Sequence, residues 1–148
     1  MAKVVIVVGL PGSGKSHWVD GHRAECTGLV TYDYFKDSLV PTLRLPDSRH
    51  YQDLVESVKA GKDCLLADIA FCEAHRRRET ERILADVAPT AVVKWIFFEN
   101  NPEACRVNIN RDGSERARDR LKYLDIFASS YSIPCGVEPV RVWQPSIA

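Results

Sequence analysis

Residues 9–16 read Gly-Leu-Pro-Gly-Ser-Gly-Lys-Ser and satisfy the pattern G-x-x-x-x-G-K-[ST] at every fixed position. Few sequence features constrain a fold so tightly, because this pattern works only between a buried strand and a helix. The glycines let the backbone curl so that successive N–H groups point inward at an anion, and the positive end of the following helix adds to the attraction. Gly9, Pro11, Gly12, Ser13, Gly14, Lys15 and Ser16 therefore form a candidate phosphate cradle. Lys15 is expected along the β- and γ-phosphates of a nucleotide, and the Ser16 hydroxyl on Mg²⁺. The run from Lys3 to Val8 in front of it is short, apolar and β-branched, as in a parallel strand covered on both faces.

The rest of the chain alternates strand and helix signals. Leu29 to Tyr32 reads as a second strand, Cys64 to Asp68 as a third, Ala91 to Phe98 as a fourth and Val140 to Trp143 as a last one. Between them, helices are predicted after Ser16, from Asp47 or Ser48 to Ala60, from Glu73 to Val87, after the Asn101-Pro102 cap, and along the stripe Leu121, Leu124 and Phe127. This alternation predicts an α/β fold with a parallel sheet and helices on both faces. At 148 residues the chain is expected to be a single domain, 1–148, with no linker or repeat to divide it.

Carboxyl ends of parallel strands are where such folds put their chemistry. Asp33 stands at the end of the second strand and would accept a proton from an attacking hydroxyl or hold Mg²⁺ through water; capping the next turn is the alternative. Asp68 ends the third strand and would serve the second shell of Mg²⁺, or contact an acceptor. The charged stretch over 106–120 reads as a lid whose arginines fold over ATP, with Arg111 the first choice and Arg106 the second. Arg44, Arg49 and His50, and the run His75-Arg76-Arg77-Arg78, are further candidates for an anionic acceptor, weighed against solvated, ion-paired faces.

Charge narrows the partners. Lys plus Arg and Asp plus Glu are both 20, so no global field draws a polyanion and any nucleic-acid contact has to be local. No apolar run approaches the roughly 20 residues of a membrane span, and no signal segment opens the chain, which predicts a cytoplasmic protein. Five scattered cysteines form no C-x-x-C pair and read as reduced thiols; the four histidines lack metal-set spacing. No obligate protein partner is evident, and no base-reading motif is recognisable.

The order Gly-Leu-Pro-Gly-Ser-Gly-Lys-Ser, Tyr-Asp-Tyr-Phe-Lys, Leu-Leu-Ala-Asp, Asn-Ile-Asn-Arg and Tyr-Ser-Ile-Pro resembles the kinase domain of polynucleotide 5′-hydroxyl kinases and the P-loop kinases around it. The resemblance implies a P-loop NTPase/kinase fold with a five-stranded parallel sheet, Mg²⁺ dependence, and transfer of the γ-phosphate of ATP to a hydroxyl. Lys15 and Ser16 match the P-loop residues, Asp33 the general base, Arg111 the lid arginine and Asp68 the acid after the third strand. Lys36 stands where these kinases usually carry an arginine, and a lysine cannot make the same bidentate phosphate contact. The acceptor is thus a 5′-hydroxyl nucleic acid or a small molecule, a metabolite or nucleoside. A nucleotide switch or NTPase with water as sole acceptor is the reading from another class.

Overall fold

A computed structural model describes residues 1–35 and 49–144. Lys36, Arg44, the Asp47 or Ser48 cap and the side chain of Arg49 lie outside the described residues. Four strands form one sheet: β1 (Lys3–Val8), β2 (Val30–Thr31), β3 (Cys64–Ala67) and β4 (Val92–Phe97), in the order β2-β3-β1-β4. Every pairing is parallel, with Val4 opposite Cys64, Val8 opposite Phe97 and Val30 opposite Leu65. The helices are α1 (Lys15–His22), α2 (Arg49–Lys59), α3 (Ala74–Val87), α4 (Pro102–Asp112) and α5 (Ala117–Ala128). Short 3₁₀ turns follow α1 (Arg23–Glu25) and β3 (Ile69–Cys72).

Side chains that alternate along β1 feed two cores. Val4, Ile6 and Val8 face a large cluster with Leu66, Phe71, Leu84, Ile109 and Leu124, to which α2, α3, α4 and α5 contribute. Val7 faces the other way, with Leu65, Ala67, Phe98 and Val19 of α1. Helices thus cover both faces, unequally, with α1 on one side. The fully apolar reading of β1 and β3 follows from this double burial.

Among the described residues the sheet has four strands, not the five expected from sequence. Val140 makes a single parallel bridge to Phe98, with its N–H on the Phe97 carbonyl (2.7 Å) and its carbonyl accepting from Glu99 N (2.8 Å). The ladder does not extend backward: among the described residues no backbone bond joins the chain before Val140 to β4. It does not extend forward either, since Val142 N–H goes to the Glu99 carboxylate (3.1 Å) and Trp143 N–H to the Ser13 carbonyl (2.9 Å). The alternation of Val140, Arg141, Val142 and Trp143 is real, but it builds a strap that turns onto the loop after β1.

The remaining elements follow their sequence signals closely. Asn101 caps α4, its Oδ1 accepting from Ala104 N at 3.2 Å, and Pro102 occupies the first turn. In α5, Leu124 is buried, with Leu121 and Phe127 packed beside it. Helix α3 begins one residue later than expected, because Glu73 is extended and stands as its N-cap residue. Among the described residues no helix is long and apolar enough to cross a membrane.

Candidate active site

The loop from Gly9 to Gly14 is shaped by what surrounds it. Gly12 has φ 81° and Gly14 φ 102°, a region that residues with a Cβ seldom adopt. Space forbids substitution as well. A methyl group on Gly12 would fall 2.5 Å from the Cys105 carbonyl oxygen, and one on Gly14 would fall 2.4 Å from the Trp143 Cβ. Gly14 also caps α1, whose first N–H groups have no partner within the helix and converge on the loop.

Lys15 curls over this loop and donates from Nζ to the carbonyls of Gly9 (2.7 Å) and Leu10 (3.1 Å). Its ammonium is enclosed by the loop although the residue is partly exposed, and this burial pushes its pKa below the usual lysine range. Beside it, the buried Ser13 hydroxyl has no partner among the described residues. A bare buried hydroxyl, a cation resting on carbonyls and unpartnered helix N–H groups are what a triphosphate would satisfy together. The donor set therefore fits a nucleotide, and the exposed Ser16 hydroxyl at the loop's end suits a Mg²⁺ that keeps water and phosphate ligands.

The two acids beyond the loop play different parts in the geometry. Asp33 is exposed at the end of β2, its N–H on Thr31 Oγ1 (3.2 Å). Asp68 is buried, and its two carboxylate oxygens accept separately from Ala70 N and Phe35 N, each at 2.8 Å. Burial raises the Asp68 pKa, opposed by those two N–H donors; the charge of Asp33 raises it further and that of Lys15 lowers it. Asp68 thus ties the segment after β2 to the turn after β3 and steadies the chain that carries Asp33. Direct metal ligation by Asp68 would compete with those bonds, whereas a contact through water would not.

A cleft of about 610 Å³ runs over the loop. Its walls bring together Pro11, Gly12, Ser13, Gly14, Lys15, Ser16, Asp33 and Arg111 of the expected site. Gly9 lies beneath, in contact with Lys15. Arg106 is not in the wall; it pairs with Asp125 across α4 and α5 at 3.0 Å. Of the basic run, Arg77 is committed to the interior, donating to the carbonyls of Phe71, Cys72 and Ser132. Arg76 lies over the Phe35 ring and pairs with Glu79 at 3.6 Å.

The cleft also holds residues not chosen singly from the sequence: His17, Tyr32, Ile69 and Trp143, with Asn108, Asp112 and Arg120 from the expected lid. Arg120 pairs with Asp112 at 3.2 Å. Asn108 Nδ2 donates to the carbonyls of Gly12 (2.9 Å) and Trp143 (2.6 Å), joining α4 to the loop and the strap. Helical spacing was the available signal, since Asn108 stands three and four residues before Arg111 and Asp112 on one face of α4. Nothing in the sequence separated Arg120 from the charged residues around it.

Comparison with known proteins follows the same outline. A family model described as an AAA domain matches residues 4–122, from β1 into α5. The chain is 27% identical over 133 residues to Uncharacterized protein R277 of Acanthamoeba polyphaga mimivirus, covering 88% of this chain and 87% of that protein.

Proposed function

The chain belongs to the AAA domain family, a P-loop NTPase and kinase-like group, and from that premise we propose that it is an ATP-dependent phosphotransferase moving the γ-phosphate to a hydroxyl acceptor. The observation that carries this reading is the cleft itself. It sets the exposed Asp33 carboxylate and the Arg111 side chain around Lys15 and Ser16.

Catalysis on this reading is positioning and electrostatics. Backbone N–H groups from Gly12 to Ser16 hold the phosphates, with the Ser13 hydroxyl gaining a partner. Lys15 exchanges the Gly9 and Leu10 carbonyls for phosphate oxygens. Asp33 orients the acceptor hydroxyl and takes its proton as the new O–P bond forms and the bond from the γ-phosphorus to the bridging oxygen breaks, ADP leaving. Arg111, from the end of α4, and the segment into α5 act as a lid over 106–120, meeting charge on the moving phosphoryl group. Mg²⁺, held by Ser16 and assisted by Asp68 through water, would neutralise charge on the phosphates. Arg106 needs to leave Asp125 before it can take part.

The acceptor is a 5′-hydroxyl nucleic acid or a smaller hydroxyl compound, within one domain that acts without an obligate partner. Five free cysteines support a reducing, cytoplasmic setting. The test is transfer of label from γ-labelled ATP with Mg²⁺, offering a 5′-hydroxyl oligonucleotide beside nucleosides and small hydroxylated metabolites. Label on the oligonucleotide supports polynucleotide-kinase-like action, and label on a small molecule keeps the chemistry with a different pocket. Label released only as phosphate overturns the phosphotransferase. Lys15→Ala serves as the control and should lose turnover by roughly a hundredfold or more.

A further inference from the structure

An indole stands on the rim of the cleft away from Asp33. The order of the sheet sets this opposition: the P-loop leaves the interior strand β1, Asp33 leaves the edge strand β2, and the strap runs beside the other edge, β4. Trp143 ends that strap, and its backbone is fastened at both polar atoms. Its N–H donates to the Ser13 carbonyl (2.9 Å) and its carbonyl accepts from Asn108 (2.6 Å). Its Cβ fills the space that any side chain at position 14 would need. The indole stacks on the His17 imidazole, with ring centroids 4.4 Å and planes 17° apart. Yet 42% of the residue stays exposed, and it lines the cleft.

This combination is uncommon for a residue that serves only packing. A tryptophan normally gains its stability by burying area, whereas here two-fifths is left in water while the backbone beneath it is held rigidly. Rigid, exposed aromatic surface at the edge of a polar cleft offers stacking with little ordering cost on binding. With Asp33 beside the γ-phosphate, as the proposed reaction has it, the nucleoside end of a triphosphate on the loop is directed to the β4 side. His17, directly after Ser16 on α1, leads from the phosphates to the indole.

We propose that Trp143, braced by His17 and by the strap over residues 140–143, is the platform on which the nucleobase of the bound triphosphate stacks. The inference rests on the reading of the P-loop as a nucleotide site and is independent of the acceptor. Stacking needs no hydrogen-bond pattern, because every base presents a π-face. That accounts for a nucleotide site in a sequence without a base-reading motif. The Asn108 amide nitrogen is already spent on two backbone carbonyls, so its part is to fix the indole rather than to read the base.

Titration calorimetry with ATP and with inorganic tripolyphosphate, both with Mg²⁺, separates the base from the phosphates. The wild-type protein should bind ATP more tightly than tripolyphosphate. Trp143→Ala should lose roughly ten- to a hundredfold in ATP affinity, the effect of one lost base stack, with tripolyphosphate binding unchanged. Trp143→Phe, which keeps a ring and the strap, should retain most of the ATP affinity. Equal losses for both ligands would make Trp143 a strut of the loop and overturn the platform, as would unaltered ATP binding in Trp143→Ala. A wild-type protein that binds neither ligand overturns the nucleotide reading itself and the platform with it. Because only binding is measured, failure to find a phosphoryl acceptor does not bear on the result.

Discussion

Lys15 carries opposed demands: its charge is wanted by the phosphates, but its ammonium is held out of water on two carbonyls of the loop. That burial holds its folded pKa below 10.5, the ordinary lysine value. Between the two values the unfolded chain binds more protons than the folded one, so this residue's contribution to stability rises with pH and is lowest at neutral pH. Lys15→Ala lacks the slope. The unfolding free energy of wild type minus that of the variant should therefore grow as pH climbs toward 10.5, by at most about 1.4 kcal/mol per unit. Urea titrations at several alkaline pH values measure it, and a constant difference would mean that the ammonium is not desolvated. Asp33 makes the complementary case. Exposed and bonded only through its N–H to Thr31 Oγ1 among the described contacts, it contributes little to the fold. Asp33→Asn should keep ATP affinity within about threefold while turnover falls by roughly a hundredfold or more, the usual span of a lost general base. A matching loss of affinity in calorimetry would instead make Asp33 a metal or structural residue. Both residues were legible in the sequence, because the loop motif and the strand end are local patterns. Trp143 and Asn108 were not: Asn108 reaches the Gly12 carbonyl across 96 positions, and no local pattern encodes such a contact.

Arg77 shows where element-level reading goes astray. In the sequence it belongs to a basic run at the start of a helix, the usual mark of a solvated face. In the fold its guanidinium is buried over the Phe97 ring and joins three elements. It donates to Phe71 O (2.7 Å) and Cys72 O (3.1 Å) of the turn after β3, and to Ser132 O (2.8 Å) and Oγ (3.2 Å) beyond α5. Burial lowers its pKa, yet the fork remains charged at any ordinary pH. Arg77→Leu would leave these carbonyls short of a donor and should cost on the order of 3 kcal/mol in chemical denaturation. Arg77→Lys should recover little, since an ammonium cannot span the three carbonyls as the fork does. A loss below about 1 kcal/mol for Arg77→Leu would show that the carbonyls find water instead. The same limit explains the absent fifth strand. Alternation at 140–143 was visible, but Glu99 and Ser13, which redirect the backbone after Val140, are distant in sequence. The presence and parallel direction of these four strands were legible because they depend on periodicity and on the alternation of strands with helices, whereas their order β2-β3-β1-β4 was not.

Across the molecule, balanced charge restricts how a nucleic acid can be held. Lys plus Arg equals Asp plus Glu at 20 each, so attraction to a phosphate backbone has to come from local groups. Many of the arginines already have acidic partners: Arg23 with Asp20, Arg76 with Glu79, Arg106 with Asp125 and Arg120 with Asp112. Arg77 is spent on carbonyls. A strand offered as acceptor would therefore release few counterions. With two or three phosphate contacts, log kcat/KM for a 5′-hydroxyl oligonucleotide should fall against log salt with a slope of only about −1.5 to −2. For the same reason, lengthening the oligonucleotide beyond its first few nucleotides should not lower KM, because these arginines of the described residues are already paired. Initial rates over a series of salt concentrations and acceptor lengths measure both. A slope steeper than about −4, or a KM that keeps falling with length, would require about six or more phosphate contacts and hence a basic surface assembled only on the acceptor. A shallow slope with a short-acceptor optimum is what a cleft built around one terminal hydroxyl, rather than a groove for a strand, demands.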